Sequence, residues 1–220
     1  MKLVLASGSQ RRRELLTMCG YDYEIIVSNA DETIDENDPE SFVRALSFRK
    51  AKEVFDRLSA AGRRDFAVIG SDTVVAFQKD GGTKPVIIGK PKDAEDAVRI
   101  LSMLSGKTHR VFTGVSVIAD IPDENAAAQC SIQEKAEIQT ECSITEVTFE
   151  TLSPDEITDY VNSGDPLDKA GSYGIQGPFG MFVREIRGNY FTVIGMPIPV
   201  LYKMLKKIGI LPHGFYERIE

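Results

Sequence analysis

The sequence predicts an α/β fold, a β-sheet of mixed strand direction wrapped by helices. Three observations carry this expectation. Short apolar runs of strand length alternate along the chain with segments whose apolar residues recur at helical spacing. An Asp80-Gly81-Gly82 turn between two apolar runs signals a hairpin, which brings antiparallel pairing into the sheet. A chain of 220 residues with 42% hydrophobic content can also bury a full core.

Leu3–Ala6 reads as a short buried strand, and Gln10–Cys19 as a helix with Leu15, Leu16 and Met18 inward. Tyr23–Val27 is a second strand, followed by an acidic loop, Asn29–Pro39, that holds Asp31, Glu32, Asp35, Glu36 and Asp38. Pro39 suits the first turn of a long helix reaching about Leu58, with Phe42, Val43, Leu46, Ala51, Val54 and Phe55 at helical spacing. Phe66–Phe77 is a strongly apolar strand interrupted by Gly70-Ser71-Asp72-Thr73, and Val86–Ile88 returns from the hairpin turn. Asp93 caps a helix ending at Leu104. Arg110–Ala119 and Ile144–Leu152 read as long paired strands. The polar, acidic segment between them, about 121–141, is expected to be a mobile insertion in a single domain spanning 1–220. Ser153-Pro154-Asp155-Glu156 has the capping-box pattern of a helix start. Gly164 to Gly180 is a long polar, glycine-rich loop, a kind of segment that tends to carry function. Phe182–Ile186 and Phe191–Val193 read as strands, and Pro197–Ile208 as a closing amphipathic helix.

The formal net charge of −7 argues against a general nucleic-acid binder, which normally shows a broad basic face. An anionic substrate would have to be held by a local basic pocket. No apolar run is long enough to cross a bilayer. The start of the chain lacks the length and cleavage site of a signal peptide. Cys19, Cys130 and Cys142 are odd in number and irregularly spaced, which fits reduced thiols and a cytoplasmic location. Cys19 reads as core filling. With only His109 and His213 available, acid–base chemistry is expected to rest on carboxylates, lysines or a metal-bound water.

Leu5–Arg13 places an apolar strand and a small-residue turn before three arginines at a helix start. Cations there oppose the helix dipole unless an anion sits between them and the free backbone N–H groups. The triplet alone leaves a phosphate site and a solvated basic turn equally open. Lys50 on the long helix reads alone as part of a solvated face. Lys90, between Gly89 and Pro91, and Lys169, in the glycine-rich loop, fit either a site or the surface. Asp72 at the break of a core strand is costly unless paired, hydrogen-bonded or metal-bound, with an Asx-turn as the plainer reading. Glu32 by itself is one acid of a solvated loop. Together, two carboxylates facing a cation cluster would suit a divalent ion, Mg²⁺ first, bridging to a polyphosphate. Gln176 offers both donor and acceptor to a nucleobase edge, although a loop glutamine alone is usually surface filler. Walker-type and dinucleotide-binding glycine motifs are absent.

Taken together, eight segments in order resemble the Maf family of nucleoside triphosphate pyrophosphatases. They are Leu5–Arg12, Asp31-Glu32, Arg49–Lys52, Gly70–Val75, Gly89–Pro91, Ser105–Val115, Asp168–Gly177 and Gly188–Pro197. Arg13 and the long 121–141 segment depart from the usual pattern. The resemblance implies an elongated, curved mixed sheet with two lobes around a central cleft, as in ITPase-like folds. It implies cleavage of the α–β phosphoanhydride of a nucleoside triphosphate. Carried over by position, Asp72 is the general base or metal-anchored activator of water and Glu32 the second acid. Asp72 and Glu32 are then the metal ligands, with Mn²⁺ or Co²⁺ as alternatives to Mg²⁺. Ser7, Arg12, Lys50 and Lys90 form the polyphosphate clamp, with Lys169 as a further substrate contact. Arg11, Thr73 and Gln176 fall where substrate choice is set, and these residue types match the dTTP and UTP group. A sister group acting on 7-methylguanosine triphosphate tends to carry Trp, Gln and Glu there. Neither nucleic acid nor membrane is an expected partner, and a homodimer is left open. Competing readings are a pyrophosphatase for purine or modified nucleotides, and a nucleotide-binding regulator of cell division with little turnover.

Overall fold

The computed structural model describes residues 1–78, 85–121 and 136–214. Seven strands form one sheet: β1 (Lys2–Leu5), β2 (Glu24–Ile25), β3 (Phe66–Phe77), β4 (Val86–Ile88), β5 (Thr108–Asp120), β6 (Ala136–Phe149) and β7 (Val183–Arg187). The order is β2-β1-β3-β5-β6-β7, with β4 also pairing to β3. β1 runs parallel to β2 and β3, and every other pair is antiparallel, so the sheet is mixed as expected. The helices are α1 (Gln10–Met18), α2 (Pro39–Ala60), α3 (Ala94–Leu104), α4 (Pro154–Asn162), α5 (Tyr190–Ile194) and α6 (Ile198–Lys207). Among the described residues no helix is long and apolar enough to cross a membrane.

Side chains alternate across the sheet, which divides the core. On one face α2 lays Val43, Ala51, Val54 and Phe55 against Val68, Val74, Ala76 and Phe112. On the other face lie two separate clusters. One joins Leu15 and Leu16 of α1 and Leu201 and Leu205 of α6 to Ile69 and Val117. The second joins Leu101 and Leu104 of α3 and Ile157 of α4 to Val75, Val111 and Phe149. Between these two clusters Ser71, Thr73 and Thr113 interrupt the apolar surface.

α2 lies directly on the sheet backbone. A Cβ at Gly70 would overlap the Ser47 carbonyl, and one at Gly114 the Val43 carbonyl. Glycine at both positions therefore sets the helix-to-sheet distance.

Several expectations change. β3 is continuous through Gly70-Ser71-Asp72-Thr73. These turn-forming residues stay in the strand because their polar groups are satisfied there: the one Ser71 hydroxyl hydrogen is shared between the Gly114 and Gly195 carbonyls, both 2.9 Å away, and Thr73 pairs with Thr113. Phe191–Val193 is not a strand. It lies within the short helix α5, which Asn189 caps by accepting from the Phe191 N–H at 2.9 Å and Gly195 ends at φ +108. A five-residue element is too short for periodicity to separate strand from helix. Met18 is 63% exposed, so it faces away from the core. The expected strand at Tyr23–Val27 shrinks to β2. β6 begins at Ala136, well before Ile144, so the expected insertion loses its last residues to a strand. The rest of it, 122–135, lies outside the described residues with Cys130, as does the Asp80–Gly82 turn. The glycine-rich loop contains three short 3-10 turns, Asp165–Asp168, Ala170–Ser172 and Pro178–Phe182. Cys19 and Cys142 are free thiols, both partly buried.

Candidate active site

The pairing of β3 leaves a gap along one edge. β1 follows it only to Ile69 and β4 joins it only from Val75, so residues 70–74 have no strand neighbour on that side. A cleft of about 750 Å³ opens at this gap. All ten sequence-predicted site residues line it: Ser7, Arg11, Arg12, Glu32, Lys50, Asp72, Thr73, Lys90, Lys169 and Gln176.

Strand alternation puts Asp72 on the α2 face with Gly70 and Val74, and the close seat of α2 brings Lys50 over it. Lys50 Nζ lies 2.7 Å from Asp72 Oδ1 and 3.0 Å from Glu32 Oε1. Asp72 is 8% exposed, so this ammonium is what makes a carboxylate tolerable inside a core strand. Glu32 reaches the same point because its loop is pinned. Arg49 donates to the carbonyls of Asp31 and Thr33, both at 2.8 Å, on either side of Glu32. Arg49 opens the Arg49–Lys52 segment of the resemblance, which assigns it no role, and its part in positioning Glu32 was not foreseen.

On the opposite wall the guanidinium of Arg12 is fixed by three bonds. Nε donates to Gly195 O at 2.9 Å, one terminal nitrogen to Ser7 Oγ at 3.1 Å, and the other to Thr73 Oγ1 at 3.5 Å. Burial lowers the Arg12 pKa, against the opposing attraction of Asp72. Ser7 Oγ also accepts from the Ser9 N–H at 3.2 Å. With both of its lone pairs occupied, the Ser7 hydroxyl is left to donate, which suits an anionic oxygen.

The glycine-rich loop closes the third side. Arg11 bonds Asp168 at 3.3 Å. Lys169 Nζ meets Asp165 O at 2.6 Å, Asp165 Oδ1 at 3.0 Å and Asp168 Oδ1 at 2.7 Å, so its three N–H groups are directed into its own loop. Burial raises the Asp168 carboxyl, but Lys169 and Arg11 together hold it below the usual carboxylate range. Gly171 N donates to Gly89 O at 3.0 Å and thereby anchors the turn carrying Lys90. Lys90 and Gln176 are exposed. Two further residues that sequence reasoning did not place hold this loop from below. Tyr160 Oη accepts from Gly174 N at 3.0 Å, and Tyr173 Oη pairs with His109 Nε2 at 2.9 Å. Burial pushes the His109 pKa down to about 3, so the ring is neutral and takes no part in acid–base chemistry near neutral pH.

Among the described residues no cluster of three or more His, Cys, Asp or Glu side chains could by itself hold a metal ion. Besides Asp168, which Lys169 and Arg11 occupy, the carboxylates lining the cleft are Asp72 and Glu32. Two carboxylates fit Mg²⁺, which characteristically takes its other ligands from substrate phosphates and water.

The chain matches the family model for Maf-like proteins over residues 2–208. A dTTP/UTP pyrophosphatase of Agathobacter rectalis is 40% identical over 217 residues, covering 95% of this chain and 98% of its own. Proteins with the same description from Bacillus thuringiensis and Clostridium beijerinckii are each 42% identical over 210 residues, covering 96% and 100% of their own lengths. Among solved structures, the Staphylococcus aureus Ham1 protein covers 94% of this chain at 15% identity and a TM-score of 0.45.

Proposed function

The chain belongs to the Maf family, and from that premise we propose that it hydrolyses dTTP and UTP at the α–β phosphoanhydride, releasing the nucleoside monophosphate and pyrophosphate. The observation that carries this reading is Lys50 holding Asp72 and Glu32 together in one cleft with the Ser7 and Arg12 donors.

A triphosphate brings several negative charges into this cleft, and they must be offset before a carboxylate can approach. Arg12 is preorganised by its three bonds, so its remaining N–H groups meet phosphoryl oxygens with little reorganisation. Ser7 adds a hydroxyl donor and Lys90 an exposed ammonium at the rim. Arg11, tied to Asp168, spans the mouth. Asp72 uses Oδ1 for Lys50, which leaves Oδ2 to take the proton of the attacking water. Lys50 holds that carboxylate in place and offsets charge beside it. Asp72 and Glu32 would hold a divalent ion, Mg²⁺ or else Mn²⁺ or Co²⁺, which when bound polarises water and offsets phosphate charge. Gln176 reads the pyrimidine edge, its amide N–H donating to a ring carbonyl oxygen.

A panel of dTTP, UTP, CTP, GTP and 7-methyl-GTP with Mg²⁺, read as pyrophosphate released, tests this. Faster turnover of dTTP and UTP is expected, with loss of activity in excess chelator. Preference for GTP or its methylated form would replace the pyrimidine reading. Tight UTP binding without pyrophosphate release would replace the enzyme with a nucleotide-binding regulator.

A further inference from the structure

Thr113 lies beneath the cleft, fully buried on β5 and directly opposite Thr73 of β3. Its Oγ1 is 2.7 Å from the carbonyl oxygen of Thr192 in α5 and 2.9 Å from Thr73 Oγ1. A carbonyl oxygen cannot donate, and two oxygens at that separation repel unless a hydrogen lies between them. The single hydroxyl hydrogen of Thr113 therefore goes to Thr192 O. The bond between the two threonines then has only one possible direction: Thr73 donates and Thr113 accepts. That uses the only hydrogen Thr73 has. Thr73 is partly exposed and lines the cleft, and it meets whatever binds there with lone pairs alone. The contact from Arg12, which donates to the same oxygen at 3.5 Å, agrees with that polarity.

We propose that Thr113 is a specificity-determining residue: by fixing the direction of the Thr73 hydroxyl it makes Thr73 an obligate acceptor that selects nucleosides presenting a hydrogen-bond donor. The proposal rests on the dTTP and UTP reading above. An acceptor is repelled by phosphoryl oxygens, so Thr73 takes no phosphate itself, although it borders the clamp through Arg12. Uracil and thymine nucleotides offer two donors of the right kind, the ring N3–H and the 3′-hydroxyl. Cytosine carries a bare acceptor at N3, and its lone pair would face those of Thr73. Neither Gln176 nor an untethered Thr73 would give such discrimination alone, because an amide can turn over and a free hydroxyl can rotate.

The test compares wild type with Thr113→Val and Thr113→Ser, measuring kcat/KM for UTP, CTP, dTTP and 3′-deoxythymidine triphosphate. Valine keeps the shape but removes the acceptor, so the Thr73 hydroxyl can turn and donate into the cleft. Serine preserves the relay. A base contact predicts that Thr113→Val narrows the UTP-to-CTP ratio by about tenfold while Thr113→Ser stays within about twofold of wild type. A sugar contact predicts that the dTTP to 3′-deoxythymidine triphosphate ratio narrows instead. If both ratios hold, or all four substrates fall by the same factor, Thr113 is structural only and the proposal is overturned. If Thr113→Val does not fold, Thr73→Val against Thr73→Ser poses the same question, since only the first lacks the acceptor. A wild-type enzyme with no preference for UTP over CTP would count against the functional reading itself, which separates the two failures.

Discussion

Lys90 and Lys169 carry the same charge and line the same cleft, yet their surroundings assign them different work. The Lys169 ammonium is 12% exposed and directed at Asp165 and Asp168, whereas Lys90 is exposed at the rim. Lys169 was expected to contact substrate; it lines the cleft, and its ammonium is directed into the loop that carries Gln176. Lys90→Ala should lower kcat/KM for UTP by ~10²-fold at nearly unchanged stability, since a charge-stabilising donor is lost. Lys169→Ala should instead lower stability by ~1–3 kcal/mol, because partly buried Asp165 loses the ammonium that bonds both its carboxylate and its carbonyl oxygen. Paired denaturation and kinetic measurements check this, and the reverse pattern would reassign both lysines. Membership of the site was legible for these residues from their motifs. The roles were not, because the partners of Lys169 depend on a 3-10 turn at Asp165–Asp168 that spacing alone does not reveal. Arg49 was hidden for the same reason, its acceptors being backbone carbonyls of a distant loop.

At the scale of elements, the site depends on α2 resting on bare backbone at Gly70 and Gly114. Gly114→Ala would drive a methyl group into the Val43 carbonyl, and backbone cannot give way as a side-chain end can. The expected loss is ~1–3 kcal/mol of stability. Turnover should fall as well, because a displaced α2 carries Lys50 away from Asp72. Chemical denaturation with activity measured on the folded protein checks both, and a variant within ~0.5 kcal/mol of wild type would contradict the close contact. Gly70-Ser71-Asp72-Thr73 looked like a strand break because its residue types favour turns. The hydrogen bonds that keep it extended come from β5 and the Gly195 carbonyl, far away in sequence. Phe191–Val193 was misread for another reason: α5 is too short for periodicity to show, although its Asn189 cap and Gly195 stop are local. By contrast, α2, α3 and α4 were legible because their cap signals are local: Asp38, Asp93 and the Ser153–Glu156 capping box all form.

Over the whole molecule, the candidate site residues gather at the gap where β1 ends and β4 begins beside β3. The core beneath the Gln176 loop contains a neutral, buried His109 with its pKa pushed from 6.5 to about 3. The folded state resists its protonation, so its contribution is complete above pH 6.5 and is lost as pH falls from there toward 3. That loss approaches ~1.4 kcal/mol per pH unit inside the window. His109→Gln can still bond Tyr173 but does not titrate, so its stability should fall less steeply between pH 6 and pH 4, roughly the middle of that window. Equal slopes in the two proteins would show that His109 does not titrate on unfolding. The central claim is narrower and concerns one carboxylate in the gap. Wild type and Asp72→Asn should be incubated with UTP and Mg²⁺, and UMP and pyrophosphate quantified over time. The account predicts equimolar UMP and pyrophosphate from wild type, and a kcat lower by ~10²-fold or more from a folded Asp72→Asn protein. UDP and phosphate as products, or a variant retaining more than about half of the wild-type kcat, would contradict it.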